Sequence, residues 1–155
     1  MIDRSVIDRS VIGREAVSEA VTLERSRLRL FVRLLGYPPD GVHRDLAAAR
    51  AAGHPDLLVP PTYLAGLETE TEAIYRTLED VGVDLAAVLN GEQHFTHHRP
   101  LHAGDEIVFT TRVTDVYARG GGRLEFLVRE SAVTRGGELV AELRNTIVVV
   151  REGAA

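Results

Sequence analysis

Residues 123–150 read RLEFLVRESAVTRGGELVAELRNTIVVV, and this stretch decides the fold. Arg123 to Thr134 alternates, which predicts a strand with Leu124, Phe126 and Val128 on one face. Gly136-Gly137 turns the chain, and Leu139, Ala141, Leu143, Asn145, Ile147 and Val149 then share a face. Upstream, Glu106 to Tyr117 is another long β-rich run, closed by Gly120-Gly121-Gly122. Three long runs joined by glycine turns predict an antiparallel meander. Twelve residues at about 3.3 Å each span about 40 Å. Strands of that length twist and curl, so they need something to curl around.

The rest of the chain supplies it. Proline fits a helix start because its missing N–H would be unpaired there. Pro60-Pro61 therefore predicts a helix carrying Tyr63, Leu64 and Leu67, with a break near Gly66 or Thr69, running on through Ile74, Tyr75 and Leu78 to Gly82. A curved antiparallel sheet wrapped around one central helix, an α+β architecture, is the hotdog fold. Glu92 to His98 predicts a further strand and Pro100 to Gly104 a turn. Leu28, Phe31, Val32 and Leu35 form one helical stripe, with Thr22 as N-cap and Gly36 as stop. A short strand around Val17 to Val21 precedes it. An alanine-rich helix spans Asp45 to Ala52. Ile2-Asp3-Arg4-Ser5-Val6 recurs as Ile7-Asp8-Arg9-Ser10-Val11, too short a unit for a solenoid. Residues 1–14 are expected to be a loose segment before one domain over 15–152.

Composition narrows the chemistry. The chain has 155 residues, 45% of them hydrophobic, enough for one domain with a core. With no cysteine, a disulfide framework, a thiolate metal site and a cysteine nucleophile are excluded. All 18 Lys+Arg are arginine, so a Schiff-base lysine and a phosphate-loop lysine are excluded as well. The net charge of -5 argues against nucleic acid as a partner. Apolar runs are far shorter than the roughly 20 residues of a membrane span, so no membrane partner and a cytoplasmic location are expected. His94, His97, His98 and His102 cluster in sequence. Strand alternation places His94 and His98 on one face and His97 on the other, which argues against a metal site.

The run 91–105, GEQHFTHHRPLHAGD, resembles the stretch joining two strands in MaoC-like dehydratases, closest to the FAS1-like dehydratase branch. Residues 53–63, GHPDLLVPPTY, resemble the approach to that family's central helix, and Asp115-Val116-Tyr117 before glycines followed by Val128-Arg129-Glu130 fits the same branch. The resemblance implies hotdogs paired as a double-hotdog dimer, homo- or heteromeric, acting on acyl thioesters of coenzyme A or acyl carrier protein. The implied reaction is (R)-specific enoyl-thioester hydration or its reverse, 3-hydroxyacyl dehydration, with no cofactor. The branch also implies an alternative, a non-catalytic subunit that holds the acyl chain beside a catalytic partner, as in the A-type subunit of a mycobacterial dehydratase.

Hydration needs a base for the attacking water, a proton for the α-carbon and donors for the thioester oxygen. Catalytic relatives carry Gly-Asp-x-Asn-Pro-aliphatic-His with an acidic residue two places on. Residues 36–45, GYPPDGVHRD, keep His43, Val42 and Asp45 of that pattern. They depart from it at the first acidic position, where Tyr37 or Pro38 stands, and by one inserted residue. His43 and Asp40 are the candidate catalytic residues. Against them stand a histidine that merely pairs with a neighbour, and an Asp40 that only forms a turn before Gly41. Asp45 reads as a helix cap. The resemblance places the thioester oxygen at the start of the central helix. Because two prolines remove two donors, Val59, Thr62 and Tyr63 are the candidate oxyanion donors. Arg99 is a candidate phosphate contact or a partner for a carboxylate. A hotdog thioesterase, with Glu68 or Glu70 on the central helix as its carboxylate, is a third reading.

Overall fold

The computed structural model describes residues 7–80 and 82–150, with the backbone alone at positions 72–74 and 77. Among the described residues, six antiparallel strands form one layer: β1 (Glu15–Val17), β2 (Val21–Thr22), β3 (Val88–His97), β4 (Glu106–Arg119), β5 (Leu124–Arg135) and β6 (Glu138–Val150). Their order is β1-β4-β5-β6-β3, with β2 also pairing to β4, so β3 forms one edge. Four helices accompany them: α1 (Arg25–Leu34), α2 (Leu46–Ala51), α3 (Tyr63–Glu70) and α4 (Glu72–Asp80). Leu64 and Leu67 of α3 pack on Phe109, Val133 and Leu143 of the sheet. The predicted sheet around a central helix is therefore present, and the chain has the hotdog fold.

The central helix breaks later than expected. Thr71, with φ -74 and ψ 130, ends α3 and separates it from α4. The two prolines lie just before the first helical residue, and Thr62 is the N-cap. Thr22 does not cap α1. It pairs with Glu106 in β2, and the helix starts two residues later from Glu24. Asp45 does cap α2, accepting from the Ala48 N–H at 2.7 Å. The loose segment expected over 1–14 is not what residues 7–14 form. Ile7 and Val11 are buried and pack with Leu78, Leu127 and Ile147, and Asp8 caps the short turn Arg9–Val11. The second copy of the repeat thus plugs the sheet's inner face. The first copy, the side chain of Ile74 and residues 151–152 lie outside the described residues.

Leu124, Phe126 and Val128 share one face of β5, as the alternation predicts. On that face Phe126 stacks on Tyr117 at 4.7 Å and Val128 is buried. The inner face carries Glu125, Leu127, Arg129, Ser131 and Val133. The Ile7 N–H donates to Glu125 Oε1 at 3.1 Å, and the partners of Arg129 and Ser131 are described below.

A bulge between Asn90 and Glu92 shifts the pairing of β3 with β6. A Cβ on Gly91 would lie 2.6 Å from Val148 Cγ2 and 3.1 Å from the Thr146 carbonyl oxygen. Both contacts are with a sheet that cannot move aside, so Gly91→Ala should cost about 1–3 kcal/mol. The urea midpoint of the variant checks this.

Candidate functional site

The loop after α1 is a series of turns. Gly36, at φ 77, takes the left-handed conformation that ends the helix. Gly41 N–H bonds to the Pro38 carbonyl at 3.2 Å, and the Arg44 and Asp45 N–H groups both bond to the Gly41 carbonyl at 2.9 Å. These turns present His43 to the strand-like segment that leads into α3. His43 Nδ1–H donates to the Leu58 carbonyl at 2.7 Å, and Tyr37 packs edge-on against the ring at 4.8 Å. With Nδ1 as donor, Nε2 carries the lone pair. His43 lines a cavity of about 450 Å³.

The cavity wall is apolar, from Leu58, Val59, Pro61, Pro100 and Leu101. Its polar groups are His43, His97, His98 and Arg99. His97 and His98 share it because β3 stops at His97. The chain then bends, the N–H groups of His98 and Arg99 both bonding to the Val140 carbonyl. The alternation argument that separated these two histidines fails at that bend. His97 Nε2–H donates to the Pro61 carbonyl at 3.1 Å, and His98 Nε2 pairs with Glu142 at 2.7 Å. Arg99 pairs with Glu138 at 3.1 Å through Nε. Among the described residues no three His, Asp or Glu side chains gather as a metal-binding set.

The sequence candidates therefore divide. His43, Val59 and Arg99 meet at one cavity. Asp40 is exposed in the Pro38–Gly41 turn and does not line it. The Val59 N–H already donates to the Leu101 carbonyl at 2.9 Å, and that of Tyr63 to the Pro60 carbonyl at 3.1 Å. This leaves the Thr62 N–H at the helix start, but Thr62 is exposed and, like Asp40, does not line the cavity. The Tyr63 side chain is buried against Phe31, and that burial pushes its hydroxyl pKa up. No carboxylate lines the cavity.

A polar cluster lies deeper, and sequence reasoning did not assemble it. Glu68 of α3 is 1% exposed. It accepts from Thr111 Oγ1 at 3.0 Å and from the Ser131 hydroxyl, and pairs with Arg129 Nη2 at 3.3 Å. Arg129 Nε donates to Asn145 Oδ1 at 3.1 Å, and Asn145 Nδ2 donates to Asn90 and Gln93. Burial pushes the Arg129 pKa down, and the Glu68 charge opposes that. Along β5 this belt falls between Val133 in one apolar cluster and Leu127 in the other. Glu68 is thus neutralised and enclosed, and Glu70 is paired with Arg27. Its enclosure argues against Glu68 as the base of a thioesterase. The available signal was an Arg at an inward β5 position together with a Glu on an apolar helix.

The cavity wall has a second clamp. His54 Nδ1 and His102 Nε2 are 3.1 Å apart, one donating to the other. They flank the bonds Val59 N–H to Leu101 and Ala103 N–H to Leu57, which join the two wall segments. Burial pushes the His102 pKa below its ordinary value. Asp105 opposes this, His54 and Arg135 add to it, and Asp56 opposes it weakly. The unfolded chain therefore takes this proton more readily than the folded one. The contribution is complete above about pH 6.5 and is lost as the pH falls through the lower folded value. Unfolding free energy should drop on going from pH 7.5 to 5.5, with a slope of at most about 1.4 kcal/mol per pH unit for this proton. Urea titrations of His102→Asn should show a flatter profile.

The comparisons agree with the fold. The model of the FAS1-like dehydratase domain region matches residues 10–143. A UPF0336 protein of Parafrankia sp. is 40% identical over 141 residues, 84% of each chain. A UPF0336 protein of Clavibacter michiganensis is 40% identical over 126 residues, 81% of this chain and 83% of its own. Among solved structures, the HadBC (3R)-hydroxyacyl-ACP dehydratase complex of Mycobacterium tuberculosis superposes with a TM-score of 0.76 at 23% identity, over 89% of this chain and 96% of that one. A MaoC-like dehydratase gives 0.80 at 25% identity, over 92% of this chain and 43% of that one. With a cavity at the start of its central helix and a family match across most of its length, the chain belongs to the FAS1-like dehydratase family.

Proposed function

We propose that this chain is the acyl-thioester-binding half of a two-hotdog dehydratase, working beside a second hotdog that supplies the catalytic Asp and His. The observation that carries this reading is the cavity itself. It holds a well-positioned imidazole and an apolar wall, yet no carboxylate lines it, and Asp40 faces solvent. The reaction is (R)-specific hydration of a trans-2-enoyl thioester, or its reverse, with coenzyme A or acyl carrier protein as the handle. In the forward direction the water oxygen bonds to the β-carbon. One water proton goes to the base, and the α-carbon takes a proton as the enolate collapses. The apolar wall holds the acyl group, with its thioester end toward the start of the central helix. No cofactor takes part.

The open edge of β3 supports the pairing. An unpaired strand edge is a liability, and a second hotdog, of this chain or another, covers it. Two structural neighbours, HadBC and ChsH1-ChsH2 of Mycobacterium tuberculosis, are complexes of two subunits.

A second reading, an enzyme complete in itself, draws on one observation. His43 has Nδ1 fixed by Leu58, which leaves Nε2 as the base. His43→Ala separates the two. If His43 is the base, kcat for a short enoyl thioester falls by about 10²–10⁴. If this chain only holds the ligand, the variant raises KM of the paired enzyme several-fold and leaves kcat nearly unchanged.

A further inference from the structure

A second cleft of about 510 Å³ lies on the other side of the loop that carries His43. It is lined by Ser26, Arg29, Leu30 and Arg33 of α1 and by Pro39 and Arg44 of the loop. Ser26, Arg29 and Arg33 follow one another at helical spacing on the face opposite the buried Leu28 and Val32. Arg44 is held in place, its Nη1 donating to the Tyr37 carbonyl at 2.7 Å.

The charge balance of this cleft is unusual for the chain. Arg25 and Arg27 of the same helix are each paired, with Asp56 and Glu70. Arg29, Arg33 and Arg44 have no carboxylate partner among the described residues, and no carboxylate lines the cleft. Arg29 and Arg33 are one turn apart, a spacing at which like charges repel. Three uncompensated guanidinium groups thus converge on one cleft in a protein of net charge -5. Guanidinium groups bind phosphate through paired, charge-assisted hydrogen bonds. A bound phosphate relieves the repulsion.

Tyr37 joins this cleft to the His43 cavity. Its carbonyl holds Arg44, and its ring packs on His43. We propose that the Arg29–Arg33–Arg44 cleft is a phosphate site that grips the phosphate end of the thioester's handle, while the His43 cavity takes the acyl end. This rests on the thioester reading above and extends it to the handle. Coenzyme A and the phosphopantetheine arm of a carrier protein both bring a phosphate.

Calorimetric titration of the whole chain with 4′-phosphopantetheine and with pantetheine tests the site. Phosphopantetheine should bind about 10–100-fold more tightly. The gap should shrink as salt is added. It should close to within about threefold in the double variant Arg29→Gln, Arg33→Gln, whose exposed substitutions leave the urea midpoint in place. Equal affinity for the two probes would overturn the proposal, as would a gap that survives in the double variant. Coenzyme A and dephospho-coenzyme A separate the sources. With the phosphopantetheine gap present, a preference for coenzyme A means that its 3′-phosphate is gripped as well. Equal binding of the two, both tighter than pantetheine, assigns the site to the phosphate next to the pantetheine, which carrier arms share. If the phosphate gap is present but no enoyl thioester is hydrated with any hotdog partner, the cleft stands and the dehydratase reading falls.

Discussion

Glu68→Ala should destabilise the protein by about 3–5 kcal/mol. It removes the carboxylate from a guanidinium that is 4% exposed and that already has Nη1 without a hydrogen-bond partner. The charge cannot reach water, and Thr111 and Ser131 lose their shared acceptor. For a domain of this length the melting temperature should fall by roughly 6–20 °C. Arg129→Met strands the carboxylate in the same way. The double variant Glu68→Leu, Arg129→Met should be more stable than the sum of the single losses implies, because it leaves neither charge buried alone. Thermal unfolding of the four proteins closes the cycle. Additive losses would mean that the two groups do not depend on each other.

The belt also explains why part of the fold was legible and part was not. The meander, its glycine turns and the Pro60-Pro61 helix start follow from local rules, and all three are present. Which face of β5 turns toward the helix was not legible, because the even positions Leu124, Phe126 and Val128 are the more apolar set. The odd set turns inward because Glu68, Thr111 and Asn145 satisfy Arg129 and Ser131 there. These contacts join residues 16 to 63 positions apart, and no pattern within one strand announces them. The N-terminal repeat misled for a related reason. Ile7 and Val11 look like a tail until the inner face of the sheet is built.

Part of the cavity lining was singled out in the sequence. His43, Val59 and Arg99, drawn from three separate motifs, line one cavity. Asp40 was the weak member, because a two-proline turn closed by Gly41 fixes where its side chain goes. Val59 and Tyr63 were offered as donors without a count of their backbone bonds. Those bonds are made inside the fold, to Leu101 and Pro60. The sharing of one cavity by His97 and His98 depends on where β3 ends, and strand ends are the least certain feature of a sequence reading.

The division of labour proposed here makes the second large prediction. The chain on its own should bind a saturated acyl thioester but hydrate a trans-2-enoyl thioester no faster than buffer. Mixed with a hotdog subunit that carries both the Asp and the His of the hydratase pattern, it should form a stable complex. In the mixture, hydration should exceed that of either subunit alone by at least about 10²-fold, the usual worth of a positioned acid–base group. Loss of the conjugated thioester absorbance follows the reaction directly. The account predicts no rate for the isolated chain and a large rate for the pair. Rapid hydration by the isolated chain, abolished by His43→Ala, would contradict it and establish a self-sufficient enzyme instead.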